Sequence, residues 1–170
     1  MIARRWAALA ATLASAGVAG AALAPHLPVL LWNATASAPL GFYWLRPAAD
    51  PAVGELVALR PPRPLALWLE AGGYVPAGVP LLKRVAAVRG QQVCRSGGRI
   101  EVDSQTQARA LSHDNQGRVL PVWRGCRRLG EGEIFLLNAP PTSLDGRYFG
   151  PSRVSEVIGQ AEPLWTWGEP

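Results

Sequence analysis

Lysine is almost absent from this chain. Of its 17 basic residues only Lys83 is a lysine. The others are arginine, which stays protonated in proteins and cannot serve as a base near neutral pH. Histidine is nearly missing too: His26 and His113 stand far apart, and Cys94 and Cys126 lie 32 positions apart. That rules out zinc-finger and C-x-x-C spacing. Ser112-His113-Asp114 has the letters of a catalytic triad, but contiguous residues cannot converge as a triad must. No phosphate-cradling loop and no internal repeat is present, so the residues call for no metal and no cofactor. Charge of one sign is also lacking. Beyond Arg4 and Arg5 the chain carries 15 basic and 12 acidic residues, too even a balance for a nucleic-acid-binding arm.

Turn formers and apolar residues are plentiful. Gly 18 and Pro 16 are spread through a chain that is 49% hydrophobic. Such a composition suits a folded domain of short strands and many turns rather than a disordered one. Its 170 residues suffice for one domain with a true core. After the leader Met1–Arg5, Trp6 to Ala24 form a run of 19 residues without a charge. As a helix it would reach about 28 Å, enough for a bilayer. The flanking arginines place the N-terminus in the cytoplasm and the rest outside. A cleaved signal peptide is the competing reading, because Ala22-Leu23-Ala24 resembles a small-x-small cleavage site. Pro25 follows at once and opposes cleavage, and apolar residues continue to Trp32. We therefore expect an uncleaved transmembrane anchor over 6–24, with Trp6 and Trp32 near its two interfaces.

Beyond the anchor the pattern is mostly β. Gly54–Arg60 alternates as a strand does, Pro61-Pro62-Arg63-Pro64 interrupts it, and Leu65–Ala71 predicts one short helix stopped by Gly72-Gly73. Ser96-Gly97-Gly98 and Asp114–Gly117 read as turns, and Glu133–Asn138 as a strongly apolar strand. Two thiols in one domain outside the cytoplasm most often pair, which predicts a Cys94–Cys126 disulfide. The end of the chain, Leu164-Trp165-Thr166-Trp167, fits a core position or a lipid contact equally well.

Lys83 lies in Leu81-Leu82-Lys83-Arg84-Val85-Ala86-Ala87-Val88. On a strand, Leu81, Lys83, Val85 and Ala87 share one face. Lys83 is thus in phase with apolar side chains, where desolvation would lower its pKa. The plain alternative is a surface lysine whose stem covers apolar neighbours. Upstream, Asn33–Trp44 reads as an extended segment ending in a turn at Pro39 and Gly41. Small residues on both sides leave the hydroxyl of Ser37 open, although most such serines simply serve loops. Downstream, Ser143-Leu144-Asp145-Gly146-Arg147 places Asp145 and Arg147 where they can pair and brace a loop.

Taken together, Ser37-Ala38-Pro39-Leu40-Gly41-Phe42-Tyr43, then Leu82-Lys83-Arg84-Val85, then Asn138 and Ser143–Gly150, resemble bacterial type I signal peptidases (peptidase family S26). The Ser-x-Pro-x-Gly-x-Tyr form is closest to the conjugative-transfer, TraF-type branch. The resemblance implies a mostly antiparallel, all-β, signal-peptidase-like fold carried by the anchor, with residues 33–170 as a periplasmic peptidase domain on the inner membrane. It makes Ser37 the nucleophile and Lys83 the general base. Ser143 would orient the lysine, and Asp145 with Arg147 would form a bracing ion pair. The Ser37 backbone N–H would hold the oxyanion, with Thr35 as a second donor. Gly146 stands where the family usually has serine. The implied substrate is an exported precursor bound as an extended strand, with small residues at the cleaved bond. In this branch it is a pilin precursor, which some members also cyclise. Partners would be membrane lipid and a conjugative transfer machinery, with no nucleic acid. A general signal peptidase and a non-catalytic, membrane-tethered β module of a secretion apparatus are the rival readings. The second leaves the lone lysine and Ser143 without a shared task.

Overall fold

The computed structural model describes Trp6, residues 11–13, Ser15 and residues 30–168. Most of the expected anchor, and the Met1–Arg5 leader, lie outside the described residues. Among those described, no helix is long and apolar enough to cross a membrane.

Among the described residues, two antiparallel sheets make up the fold. The larger contains β1 (Leu30–Asn33), β2 (Leu40–Arg46), β3 (Leu56–Leu59), β4 (Leu81–Ala87), β9 (Glu133–Leu137), β10 (Ser152–Arg153) and β11 (Val157–Trp167), in the order β1-β2-β11-β3-β4-β9-β10. The smaller contains β5 (Gln92–Ser96), β6 (Arg99–Val102), β7 (Gln105–Arg109) and β8 (Gly125–Arg128), in the order β7-β6-β5-β8. Helix α1 (Arg63–Ala71) connects β3 to the segment leading into β4, and the single-turn helix α2 (Gly146–Phe149) follows β9. Helix α1 begins two residues earlier than the pattern predicts. Pro64 is accommodated in its first turn, where no backbone N–H partner is needed.

The alternation in β4 places Lys83, Val85 and Ala87 inward and Arg84 outward. Ala58 and Leu82 pack with Tyr43, Leu45 and Ala161 on one side of the large sheet. Val57, Leu59, Val85, Ile134 and Leu136 pack on the other. A third cluster, with Val93, Ile100, Phe135 and Leu137, joins the two sheets. Each fully buried side chain of this size contributes about 2 kcal/mol of apolar burial.

Cys94 and Cys126 face each other across the β5–β8 ladder and are bonded to one another. The expected pairing is therefore present, and it staples the exposed edge strand β8 to its neighbour. Central placement of β11 between β2 and β3 has no counterpart in the sequence reading.

Candidate active site

The site is assembled on β4, on the loop after β9 and on the connection between β1 and β2. Lys83 is 4% exposed, and its Nζ donates to the Ser143 hydroxyl at 3.0 Å. Burial is the main cause lowering its pKa to about 8. The Asp145 carboxylate opposes that shift and the Arg147 guanidinium adds to it. A neutral amine keeps two N–H groups and one lone pair. With an N–H directed at Ser143, the lone pair remains available.

Asn138 holds this part of β4 in place. β9 pairs with β4 as far as Leu137 opposite Arg84. Beyond that point the Asn138 side chain takes over the ladder, accepting from the Arg84 N–H at 2.9 Å and donating to the Leu82 carbonyl at 3.0 Å. The amide thus imitates a peptide group on either side of Lys83.

Asp145 and Arg147 form a buried ion pair, Nε to Oδ1 at 2.8 Å and Nη2 to Oδ2 at 3.0 Å. Their remaining bonding capacity is directed at the loop. Asp145 accepts the Asn138 N–H and caps α2 through the Arg147 N–H, while Arg147 donates to the Asn138 carbonyl. Buried charges persist only when paired and hydrogen-bonded in this way. Gly146 has a packing reason: a Cβ there would lie 2.7 Å from the Leu136 carbonyl oxygen and 2.8 Å from the Phe135 ring. A serine at this position would have to displace β9.

Ser37 lies in a turn between β1 and β2, not in the extended stretch expected. Asn33 accounts for the difference. Its buried amide donates to the carbonyls of Thr35, Ala38 and Pro39 at 2.9, 3.1 and 3.0 Å. Its Oδ1 accepts the Thr35 N–H at 3.1 Å and the Thr35 hydroxyl at 2.8 Å. The Tyr43 hydroxyl also donates to the Pro39 carbonyl at 2.7 Å. Gly41, at φ +137°, leaves room for β11, since a Cβ would sit 2.1 Å from the Trp165 carbonyl oxygen. The Gly and Tyr that follow Ser-x-Pro are thus what shape the serine turn.

Ser37 Oγ is 3.2 Å from Thr35 Oγ1. No hydrogen bond joins Ser37 to Lys83 among the described residues, yet both line one cleft of about 560 Å³. Its walls are largely apolar, with Ala34, Ala36, Val75, Val79 and Leu81 contributing, and Ser143 also lines it.

The tasks of three neighbouring residues escaped the sequence reading. Asn33 has no signature that separates it from turn-forming asparagines, and Asn138, although it stands in the motif that carries the resemblance, has none that reveals its bonds to Arg84 and Leu82. Arg95, 4% exposed, reaches from β5 to the backbone carbonyls of Arg147, Pro121 and Gly97, and so ties the small sheet to the turn carrying the ion pair. His113 bridges to Val119 in a surface turn. No cluster of metal-ligating side chains occurs among the described residues.

A serine and a buried lysine on one cleft, within an antiparallel β scaffold, define a class of protein, and comparison identifies it. The family described as signal peptidase, peptidase S26, matches residues 2–167, and the chain belongs to it. Its relatives include a plasmid transfer protein TraF of Escherichia coli, 31% identical over 94% of this chain and 96% of that protein. A probable conjugal transfer protein TraF of Sinorhizobium fredii is 36% identical over 79% of this chain and 76% of its own length. Among solved structures, a signal peptidase I of Enterococcus faecalis aligns at a TM-score of 0.40 and 18% identity, covering 67% of this chain and 98% of that one.

Proposed function

We propose that this protein is a membrane-anchored serine endopeptidase with a Ser37/Lys83 dyad. In this reading residues 33–170 form the peptidase domain, on the outer side of the cytoplasmic membrane, and its substrate is the pilin precursor of a conjugative transfer system. The observation that carries the reading is the burial of the only lysine, its amine held by Ser143 beside the cleft that Ser37 lines. Relatives named as plasmid or conjugal transfer proteins support the choice of substrate. The disulfide supports an oxidising compartment. Exposed Trp32, Trp165 and Trp167, whose rings touch across the ends of β1 and β11, support contact with membrane lipid.

The chemistry follows from the two side chains. The precursor lies along the cleft as an extended strand, its scissile carbonyl beside Ser37. As the serine rotates toward Lys83, the neutral amine takes the Oγ proton and Oγ bonds to the carbonyl carbon. The carbonyl oxygen becomes an oxyanion held by the Ser37 backbone N–H. Collapse breaks the C–N bond, and the leaving amine takes the proton from the Lys83 ammonium. A water, deprotonated by the same amine, then cleaves the acyl ester and restores Ser37.

The test is processing by the full chain in membrane vesicles, with pilin precursors and ordinary secretory precursors offered side by side. Ser37→Ala and Lys83→Arg should each abolish cleavage, the second because guanidinium is no base at neutral pH. Full activity in either variant refutes the dyad. Equal processing of both precursor types moves the assignment to a general signal peptidase.

A further inference from the structure

The hydroxyl chain at the serine has a fixed direction, and Asn33 sets it. The orientation of the Asn33 amide is settled by its partners. Three backbone carbonyls surround Nδ2, and the Thr35 N–H points at Oδ1. Oδ1 is therefore an acceptor, and the Thr35 hydroxyl, 2.8 Å away, must spend its single proton there. At 3.2 Å from Ser37, Thr35 Oγ1 has only lone pairs left, so Ser37 is the donor of that contact.

We propose that Asn33 is a positioning residue for Ser37: its amide ties the turn and commits the Thr35 hydroxyl proton, so that Thr35 receives the proton of the resting serine. The inference rests on the reading of Ser37 as nucleophile. Two consequences follow. The resting serine proton is directed at Thr35 and away from Lys83, and substrate must turn the serine before the amine can take it. The second-donor role that the family resemblance gives Thr35 is also disfavoured, because its hydroxyl can donate to an oxyanion only by giving up its 2.8 Å bond to Asn33. The backbone N–H of Ser37 carries that task without Thr35.

The experiment uses the full chain in vesicles with an internally quenched peptide bearing small residues at the cleaved bond. Thr35→Val removes the hydroxyl at an exposed position with little change in shape. It should cost between twofold and about tenfold in kcat, against the roughly 10²–10³ lost with a true oxyanion donor, and Thr35→Ser should recover the loss. Asn33→Leu releases the turn and should lower kcat by about 100-fold, the scale of a misplaced reacting group. KM should stay within about threefold. The acid limb of its pH profile should remain near 8, because Ser143, Asp145 and Arg147 around Lys83 are untouched. A loss of 100-fold or more in Thr35→Val overturns the proposal, as does near wild-type kcat in Asn33→Leu. Should Asn33→Leu fail to fold, the Thr35 pair decides alone. Activity surviving in Ser37→Ala is a separate result, which sinks the dyad itself.

Discussion

Replacing Lys83 by Met should make the folded protein more stable at neutral pH while removing its proposed activity. In the unfolded chain the amine titrates near 10.5, and in the folded protein burial brings it to about 8. At pH 7 the folded state therefore carries an ammonium that its surroundings disfavour, a cost of about 3 kcal/mol. Met fills a similar volume without charge. It leaves Ser143 without its partner, which costs about 1 kcal/mol, so the variant should gain about 2 kcal/mol. Between about 8 and 10.5 the unfolded chain binds more protons than the folded one, so the wild type gains stability as pH rises through that window. The advantage of Met is full below about 8 and is gone by 10.5. Urea unfolding of the detergent-solubilised proteins at pH 7 and 10.5, followed by tryptophan fluorescence, measures the gap. Equal stability at pH 7, or a gap that persists undiminished at pH 10.5, would refute the claim that the folded protein holds Lys83 against its charge.

In the proposed dyad the same titration governs turnover: kcat/KM should rise about tenfold between pH 7 and 9, with a midpoint near 8. Asp145→Asn should move that midpoint lower, because the carboxylate is what opposes the effect of burial. Thermal unfolding should show a stability loss of about 3 kcal/mol or more, since Arg147 is left buried without its counter-charge. Replacing Cys94 and Cys126 by serine opens a loop of 32 positions and should cost about 4 kcal/mol. Hydrogen exchange should place the loosening in β5 and β8 while β3 and β4 stay protected.

Much of this molecule can be read from its residues. The alternation around Lys83 gives β4 its inward and outward faces, and the order of Ser37, Lys83 and Ser143 marks the cleft before any coordinates are known. What escaped was written in residues that usually mean something else. Gly159 and Pro163 argue against a central strand, yet β11 is one. A Cβ at Gly159 would lie 2.8 Å from the Arg46 carbonyl oxygen, and Pro163 sits at a register shift against β2. The glycine marks a close approach of two backbones, and the proline a position where the ladder already breaks. Asn33 is an ordinary turn residue by type, and its five bonds exist only because the hairpin folds back over it. Arg95 looks like surface charge, but backbone carbonyls from separate segments replace its water.

These details separate two tasks within the site. The carboxylate and the guanidinium beside Lys83 act on its amine in opposite directions, and burial is the larger cause. The ion pair therefore acts on the amine through two opposed charges. Its bonds instead fix the Asn138 backbone and the turn that carries Ser143. Asn138 in turn fixes the strand on both sides of Lys83. Dryness is the main cause of the lowered Lys83 pKa, and the strand that carries the amine is held by a chain of hydrogen bonds that runs from the small sheet through Arg95 to the ion pair and Asn138. The serine hangs on a separate bracket, Asn33, which shares no hydrogen bond with that chain. In the proposed peptidase, a substrate strand entering the cleft is the element that would bring the two halves into one reaction.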